Sequence, residues 1–268
     1  SMNSSSHAVG NADVTQTAHT ARSVPAPPNS GIPSTRRSGV QADAAPGTPR
    51  VDLYEAPHKT LRYMLANVLV SMGQATFADK ADVERVLAEL SVALWACDGH
   101  IAHEDKHVRP ALAERAPNTL STLDREHEDH AQHVAELRAL MRALDTADSE
   151  DARTSIGNTL YLHVSVFVAE TLAHMAYEER VVQPLLDRFF TSAELEAIHT
   201  AIVTDIQPQD MVVWLRAMLP AGNRASRLGL LSTVKEQAPP DVFAGLLADI
   251  RPLLRADDWS ALVRHLGL

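Results

Sequence analysis

Apolar residues recur at helical spacing along most of the chain after residue 52, and Pro, Gly and short polar segments interrupt them. In the first part of this region each apolar stripe continues far enough to predict a long helix. Pro110 and Pro184 are expected to end the second and fourth of these helices. The predicted helices cover residues 54–72, 79–109, 119–144 and 151–182. Long helices joined by short loops predict an up-and-down four-helix bundle.

The sequence after this region consists of shorter amphipathic segments. Thr191 and Glu194 have the spacing of a capping box, and Pro208 suits the first turn of a further helix. Three more short helices are predicted between residue 223 and the end, and no segment alternates as a strand does. The predicted fold class is therefore all-α, with a four-helix bundle over 51–190 and a C-terminal helical module over 191–268.

Residues 1–50 have a different composition, rich in Ser, Pro, Ala and Thr, without helical or strand periodicity. Such a segment cannot bury enough apolar surface to offset the entropy of ordering, so it is predicted to be a disordered tail. Its first residues, SMNSSSHAVG, lack the apolar stretch of a secretory signal. Together with the single cysteine, Cys97, this predicts a cytoplasmic location.

Charge and hydropathy exclude two classes of partner. The formal net charge is −10 and no basic cluster is present, which argues against a nucleic-acid partner. No apolar run approaches the roughly 20 residues of a membrane span, so no membrane partner is expected. The aromatic content of 4% and the abundance of Ala and Leu favour helix throughout.

The segment HIAHEDKH, residues 100–107, contains three histidines and a glutamate near the end of the predicted second helix. At 100° per residue, these four side chains fall within an arc of about 100° on the helix. Two ligands at positions i and i+4 point to the same side and can bind one or two metal ions. A solvated helix face that is rich in histidine is the simpler interpretation of this segment on its own.

The same pattern recurs near the end of the predicted fourth helix. Residues 100–112 (HIAHEDKHVRPAL) align without gaps with residues 174–186 (HMAYEERVVQPLL). His-x-x-x-Glu is therefore present on both helices, and a proline follows six residues after each glutamate. This recurrence favours a paired metal site over a solvated face.

The up-and-down arrangement predicts which other histidines lie nearby. In such a bundle the C-terminal ends of the second and fourth helices lie beside the N-terminal ends of the first and third. His58 lies early in the predicted first helix, and His127 lies early in the third. All four helix ends are therefore expected to converge at one end of the bundle.

This combination resembles the ligand pattern of the hemerythrin-like (HHE cation-binding) proteins over residues 52–187. The resemblance implies a four-helix bundle around a non-heme di-iron site, with an oxo or hydroxo bridge between two Fe ions. It also implies that the histidines are terminal ligands, two for each iron, and that the glutamates are bridging carboxylates. The implied ligands are His58, His100, Glu104, His127, His174 and Glu178.

The sequence departs from the O₂-carrier members of that family at two positions. Glu178 stands where those members have an aspartate, and Ala131 stands where they have an additional histidine, with His130 one residue before it. These differences favour a more enzyme-like or sensor-like branch of the family.

Several further residues near the predicted site are candidates for orienting a ligand through hydrogen bonds, with exposure at the mouth of the bundle as the alternative. By contrast, His133 is interpreted as structural or solvent-facing, and Cys97 as a small core residue. The candidates are His103, His107, His130 and Tyr177.

A ferritin-like di-iron site is the nearest competing interpretation, since it uses Glu-x-x-His on two helices. Residues 104–107 have this spacing, but the fourth helix has no Glu-x-x-His after Glu178. The symmetry that the ferritin-like pattern needs is therefore missing.

The leading functional hypothesis is a hemerythrin-like di-iron protein that binds or turns over O₂, peroxide or NO. One alternative is an O₂-activating oxygenase with an organic substrate, in which the C-terminal module covers the open metal face. Another is a non-catalytic metal or redox sensor that acts through a protein partner bound by the C-terminal helices. An apolar, enclosed pocket beside the irons would favour the oxygenase, whereas an exposed apolar groove on 206–268 would favour the sensor.

Overall fold

The structure is a computed structural model that describes residues 50–267, and these residues form helices without any β-strand. The predicted all-α class is confirmed. The tail predicted over residues 1–50 lies outside the described residues, apart from Arg50. The helices are α1 Glu55–Gln74, α2 Lys80–His103, α3 Arg109–Arg115, α4 Leu120–Asp145, α5 Glu150–Tyr177, α6 Gln183–Phe189, α7 Ser192–Asp205, α8 Pro208–Ala221, α9 Arg224–Gln237, α10 Pro240–Ile250 and α11 Ala256–Leu266.

Side-chain oxygens accept hydrogen bonds from the free backbone N–H groups at the starts of several helices, which is how helix N-termini are commonly stabilised. At α7, Thr191 and Glu194 form the reciprocal capping box that their spacing predicts. At α1, one carboxylate oxygen of Asp52 accepts from two backbone N–H groups, each at 2.8 Å. Asp79 caps α2 in a similar way, and Ser149 caps α5.

The four long helices α1, α2, α4 and α5 enclose the main apolar core. Helix α1 packs against α2 and α5, and α4 packs against the same two helices. Each of the four contributes fully buried leucines, and burial of one such side chain stabilises a fold by about 1.5–3 kcal/mol. Examples are Leu65, Leu90, Leu137 and Leu160.

The second and fourth long helices continue past the prolines that were expected to end them. At Glu104–Val108 and at Glu178–Val182 each helix widens into one π-helical turn, and it then continues as α3 or α6. The turns close through backbone bonds from Arg109 N–H to the Glu104 carbonyl and from Gln183 N–H to the Glu178 carbonyl. In regular α-helix the proline ring would clash with the carbonyl four residues earlier. The wider turn displaces that carbonyl, which avoids the clash. Both helices therefore continue past their prolines, and the predicted helix ends are wrong.

A second apolar cluster lies where the two π-helical turns lead into α3 and α6. Its buried members include Val108, Leu112, Val182 and Leu186. Along α2 and its π turn, His100 and Glu104 lie between Cys97 of the main core and Val108 of this second cluster. The polar residues predicted to bind metal are therefore enclosed between two apolar layers.

Helices α8–α11 surround a third apolar cluster, which contains Leu219, Leu231 and Ile250. Helix α8 also packs against α1, and its Trp214 joins the main core, with its ring centroid 6.1 Å from that of Trp95. None of the described helices has the length and apolar character needed to cross a membrane.

Candidate metal centre

Two groups of four potential metal ligands lie side by side and share both glutamates. Within each group the ligand atoms all lie within 4.8 Å of one another. One group combines His58 and His100 with the two glutamates, and the other combines His127 and His174 with the same two. The structure thus brings together all six residues nominated from the sequence, which are His58, His100, Glu104, His127, His174 and Glu178.

The helix ends position these side chains. His58 lies near the start of α1, while His100 and His174 lie in the last turns of α2 and α5. Glu104 and Glu178 are the first residues of the two π-helical turns. Because α-helical geometry holds up to that point, each glutamate lies on the same side of its helix as the histidine four residues before it.

The nitrogen and oxygen atoms face one another at short range. The Nε2 atoms of His58 and His100 are 2.9 Å apart, and the His58 Nε2 is 3.2 Å from the Glu178 Oε2. His100 Nε2 is 3.0 Å from one oxygen of Glu104. On the other side, His127 Nε2 is 3.5 Å from the second oxygen of Glu104, and His174 Nε2 is 3.4 Å from Glu178 Oε1. Each carboxylate therefore faces a histidine on both sides.

In three of the histidines the second ring nitrogen, Nδ1, donates a hydrogen bond to a carboxylate. His58 Nδ1 donates to Glu179 at 2.9 Å and His127 Nδ1 donates to Asp105 at 2.9 Å. The third bond runs from His174 Nδ1 to Glu126 at 2.8 Å. Such a bond fixes the tautomer, so that the Nε2 lone pair is directed toward the centre, and it makes the imidazole a better metal ligand.

Sequence reasoning did not identify these three carboxylates as partners, although a signal for them was present. Asp105 and Glu179 each follow the glutamate of a His-x-x-x-Glu motif, and Glu126 directly precedes His127. Each one, however, bonds a histidine on a different helix from its own. Arg62 also donates two hydrogen bonds to Glu179, at 2.6 and 3.0 Å, which holds that carboxylate in place.

The centre contains buried polar atoms that lack a hydrogen-bond partner among the described residues. They are both carboxylate oxygens of Glu104, one oxygen of Glu178, and the Nε2 atoms of His127 and His174. His58 is 0% exposed, Glu178 1% and Glu104 5%. Leaving such groups unpaired costs about 1–3 kcal/mol each, and more for a charged group. Cations at the centre would satisfy all of these atoms, so the residues present fit a pair of metal ions.

The donor set also bears on which metal fits. Four imidazole nitrogens and two carboxylates suit mid-series transition metals better than Mg²⁺ or Ca²⁺, which prefer oxygen ligands alone. Since both carboxylates face both groups of histidines, each can bridge two ions.

Burial shifts the protonation of the centre toward neutral forms. It lowers the pKa of His58, which also faces His100, to about 2, and it lowers the pKa of His100 to about 4. Burial raises the pKa of Glu104 to about 8 and that of Glu178 well above its usual value. These directions describe the chain without bound cations, in which the neighbouring histidines offset only part of the desolvation of the carboxylates. A bound cation would favour the ionised carboxylates and the neutral imidazoles.

His174 behaves differently from the other histidines. Burial alone would lower its pKa, but the surrounding carboxylates, above all Glu126, outweigh burial and raise the pKa to about 9. In the metal-free chain this imidazole therefore has the highest proton affinity of the four.

The four candidates for orienting a ligand lie around the centre, and none belongs to either group of potential ligands. His107 Nε2 lies 2.8 Å from Asp205 of α7, and His130 Nε2 lies 3.3 Å from Asp98 of α2. His103 lies beside His100 and Glu104 on the wall of a pocket, and Tyr177 packs against the second apolar cluster.

His133 provides a useful contrast with His174. Its Nδ1 lies 2.7 Å from Glu170, much as His174 Nδ1 lies 2.8 Å from Glu126. His133 belongs to neither group of potential ligands. The same kind of histidine–glutamate pair is therefore present once at the centre and once outside it.

A family model described as "Hemerythrin HHE cation binding domain" matches residues 50–186. The F-box/LRR-repeat protein 5 of Salmo salar is 24% identical over 166 residues, which cover 62% of this chain and 23% of that protein. The protein of the same name from Mus musculus is 24% identical over 245 residues, which cover 82% of this chain and 35% of that protein. The chain thus spans about a third or less of the length of these curated relatives.

Proposed function

Because the chain belongs to the hemerythrin HHE cation-binding family, we propose that its buried centre holds two iron ions and binds or turns over O₂, peroxide or NO. The observation that carries the proposal is the pair of four-residue groups sharing Glu104 and Glu178. The unpartnered buried oxygens and nitrogens between them support it further.

In this proposal each group of ligands binds one ion. His58 and His100 would hold the first iron, His127 and His174 would hold the second, and the two glutamates would contribute to both. Bound iron would supply an open coordination position for a small oxidant and the electrons to reduce it. The carboxylates of Asp105, Glu126 and Glu179 keep the ring nitrogens oriented. The two apolar clusters limit the access of water to the centre.

The proposal includes the up-and-down four-helix bundle, which the pairwise packing of α1, α2, α4 and α5 supports. It also includes a reducing, cytoplasmic compartment, since the one cysteine, Cys97, is buried and unpaired.

Metal analysis together with an absorption spectrum tests the proposal. Protein expressed with ample iron is expected to contain about two irons per chain, with charge-transfer bands that change when peroxide is added. One zinc per chain, or no bound metal, would rule out the di-iron centre.

Matched variants assign the ligands. Glu104→Ala and His174→Ala are expected to lose most of the bound iron, because each removes an atom from the centre. His133→Ala is the control, since it removes a similar histidine–glutamate pair outside the centre. Equal iron contents in His174→Ala and His133→Ala would contradict the assignment.

A second candidate function is metal sensing, in which the change caused by metal binding is transmitted to a protein partner. Two observations favour it. The first π-helical turn is tied to α7, because Lys106 and His107 both contact Asp205. In addition, the similarity to the Mus musculus F-box/LRR-repeat protein 5 covers 82% of the chain, so it must extend beyond residue 186.

Hydrogen exchange of the full chain tests the sensing function. If the effect of metal binding is transmitted to the C-terminal helices, iron is expected to slow hydrogen exchange in α7 and α8 as well as around the ligands. Protection confined to the four long helices would count against sensing through the C-terminal helices.

A further inference from the structure

A largely apolar pocket of about 350 Å³ lies beside the metal centre, between α1 and α2 on one side and α7, α8 and α9 on the other. Its volume falls within the range of about 300–1,000 Å³ that small-molecule sites usually have. The pocket is formed within one chain, because the C-terminal helices cover this flank of the long helices.

The lining has the chemistry of a site for a neutral apolar molecule. Most of the wall is aliphatic or aromatic, with Ile202, Met211, Trp214 and Met218 among the residues that form it. Within the described part of the chain, no lysine or arginine lines the pocket. An anionic ligand would therefore find no lysine or arginine to pair with, and burying it would be costly.

Only a few polar groups reach the pocket, and they come from both of its walls. Thr233 and His199 belong to the C-terminal helices, while His103 belongs to the last turn of α2. A small number of polar groups in an apolar wall is the usual arrangement for orienting a bound organic molecule.

One wall of the pocket is the metal centre itself. His100 and Glu104 line the pocket and also contribute atoms to the groups of potential metal ligands. A molecule in the pocket would therefore lie directly against two of the potential metal ligands.

From this geometry we infer that the pocket binds a neutral, apolar organic molecule, with a hydrogen-bonding group at the end nearest His103 and the His100–Glu104 wall. The binding step needs no metal. A reaction of the bound molecule rests on the proposed iron centre, and it would make the protein one that acts on an organic substrate as well as on a small oxidant.

Binding of the neutral fluorescent amine N-phenyl-1-naphthylamine to the full chain tests this inference. Its emission increases in apolar surroundings, so titration gives a dissociation constant. Val203→Trp on α7 and Thr233→Trp on α9 each place an indole at the pocket wall. Each is expected to weaken probe binding about tenfold or more, because the added ring occupies the volume that the probe needs.

The matched control is Val242→Trp on α10. Val203 is 41% exposed and Val242 is 45% exposed, but only Val203 lines the pocket. Val242→Trp is expected to bind the probe as the parent protein does. Circular dichroism and iron content, measured on all three variants, show whether each remains folded. The two pocket variants lie on different helices, so one misfolded variant leaves the other as the test.

Folded pocket variants that bind the probe as tightly as the control does would overturn the inference, and so would a parent protein that does not bind it. The outcome is separable from that of the iron centre. A chain that binds the probe but no iron would refute the proposed function and support the pocket, and the reverse result would refute the pocket alone.

Discussion

Three carboxylates, on Asp105, Glu126 and Glu179, determine which ring nitrogen of a neighbouring histidine faces the metal centre. The six potential metal ligands could be nominated from the sequence, because the i, i+4 spacing, the converging helix ends and the family resemblance restrict the choice. Their carboxylate partners adjoin nominated residues in the sequence, but which histidine each one bonds could not be predicted, since each bond joins two different helices. Finding them requires the distances between helices, and the hydrophobic pattern does not contain those.

Removing one of these carboxylates should weaken metal binding without removing a ligand. Glu126→Ala leaves His174 free to change tautomer and orientation, and such losses typically cost about 10–100-fold in metal affinity. Competition with a chromophoric chelator measures the change. Glu170→Ala is the control, because Glu170 pairs in the same way with His133 outside the centre. Equal affinities in the two variants would show that the bond to Glu126 does not support the ligand.

At the scale of helices, the sequence predicts where the long helices lie but not how two of them pass their prolines. The apolar period locates α1, α2, α4 and α5 to within a few residues. A proline within such a period indicates a helix end, because it removes one backbone hydrogen bond and clashes with a carbonyl. A single π-helical turn avoids the clash at Pro110 and at Pro184, and no local residue preference distinguishes that outcome from a helix end.

A substitution at Gly157 tests how the connection between α1 and α2 packs against α5, and a substitution at Gly245 serves as its control. In Gly157→Ala on α5 the new Cβ would lie 2.2 Å from the Phe77 ring, so a buried aromatic side chain has to move. We expect a loss of about 1–3 kcal/mol in the free energy of unfolding, measured by urea denaturation. Gly245→Ala on α10 meets nothing within 4 Å, and it should instead gain up to about 1 kcal/mol from helix propensity. A stabilised Gly157→Ala variant would mean that Phe77 does not pack against this position.

At the scale of the whole molecule, the metal centre lies between two apolar clusters while the C-terminal helices surround a third. The sequence predicts that the C-terminal region forms a module of shorter helices. It does not predict that Trp214 would join the main core or that a pocket would form along α1 and α2. Such contacts depend on how helices of different length fit together, which residue type alone does not determine.

Binding of iron should stabilise the folded chain, because several buried carboxylate oxygens and imidazole nitrogens at the centre have no hydrogen-bond partner among the described residues. Free metal at one hundred times its dissociation constant contributes about 2.7 kcal/mol to the folded state. For a chain of this size that raises the melting temperature by about 5–10 °C. Thermal scans with and without iron measure the shift. Glu178→Gln is expected to lose most of it, and a shift of the same size in that variant would contradict a role for Glu178 in binding.

The two π-helical turns also affect how this chain is compared with others. A π turn contains one residue more than an α-helix needs to cover the same path. A relative with regular helix at this point would therefore require a one-residue gap, and the correct place for it is within 104–108 or 178–182. A gap placed elsewhere would shift the alignment by one residue, which corresponds to about 100° of rotation around the helix. Leu112 or Leu186, which are buried, would then be aligned with a position of the relative that faces away from its core.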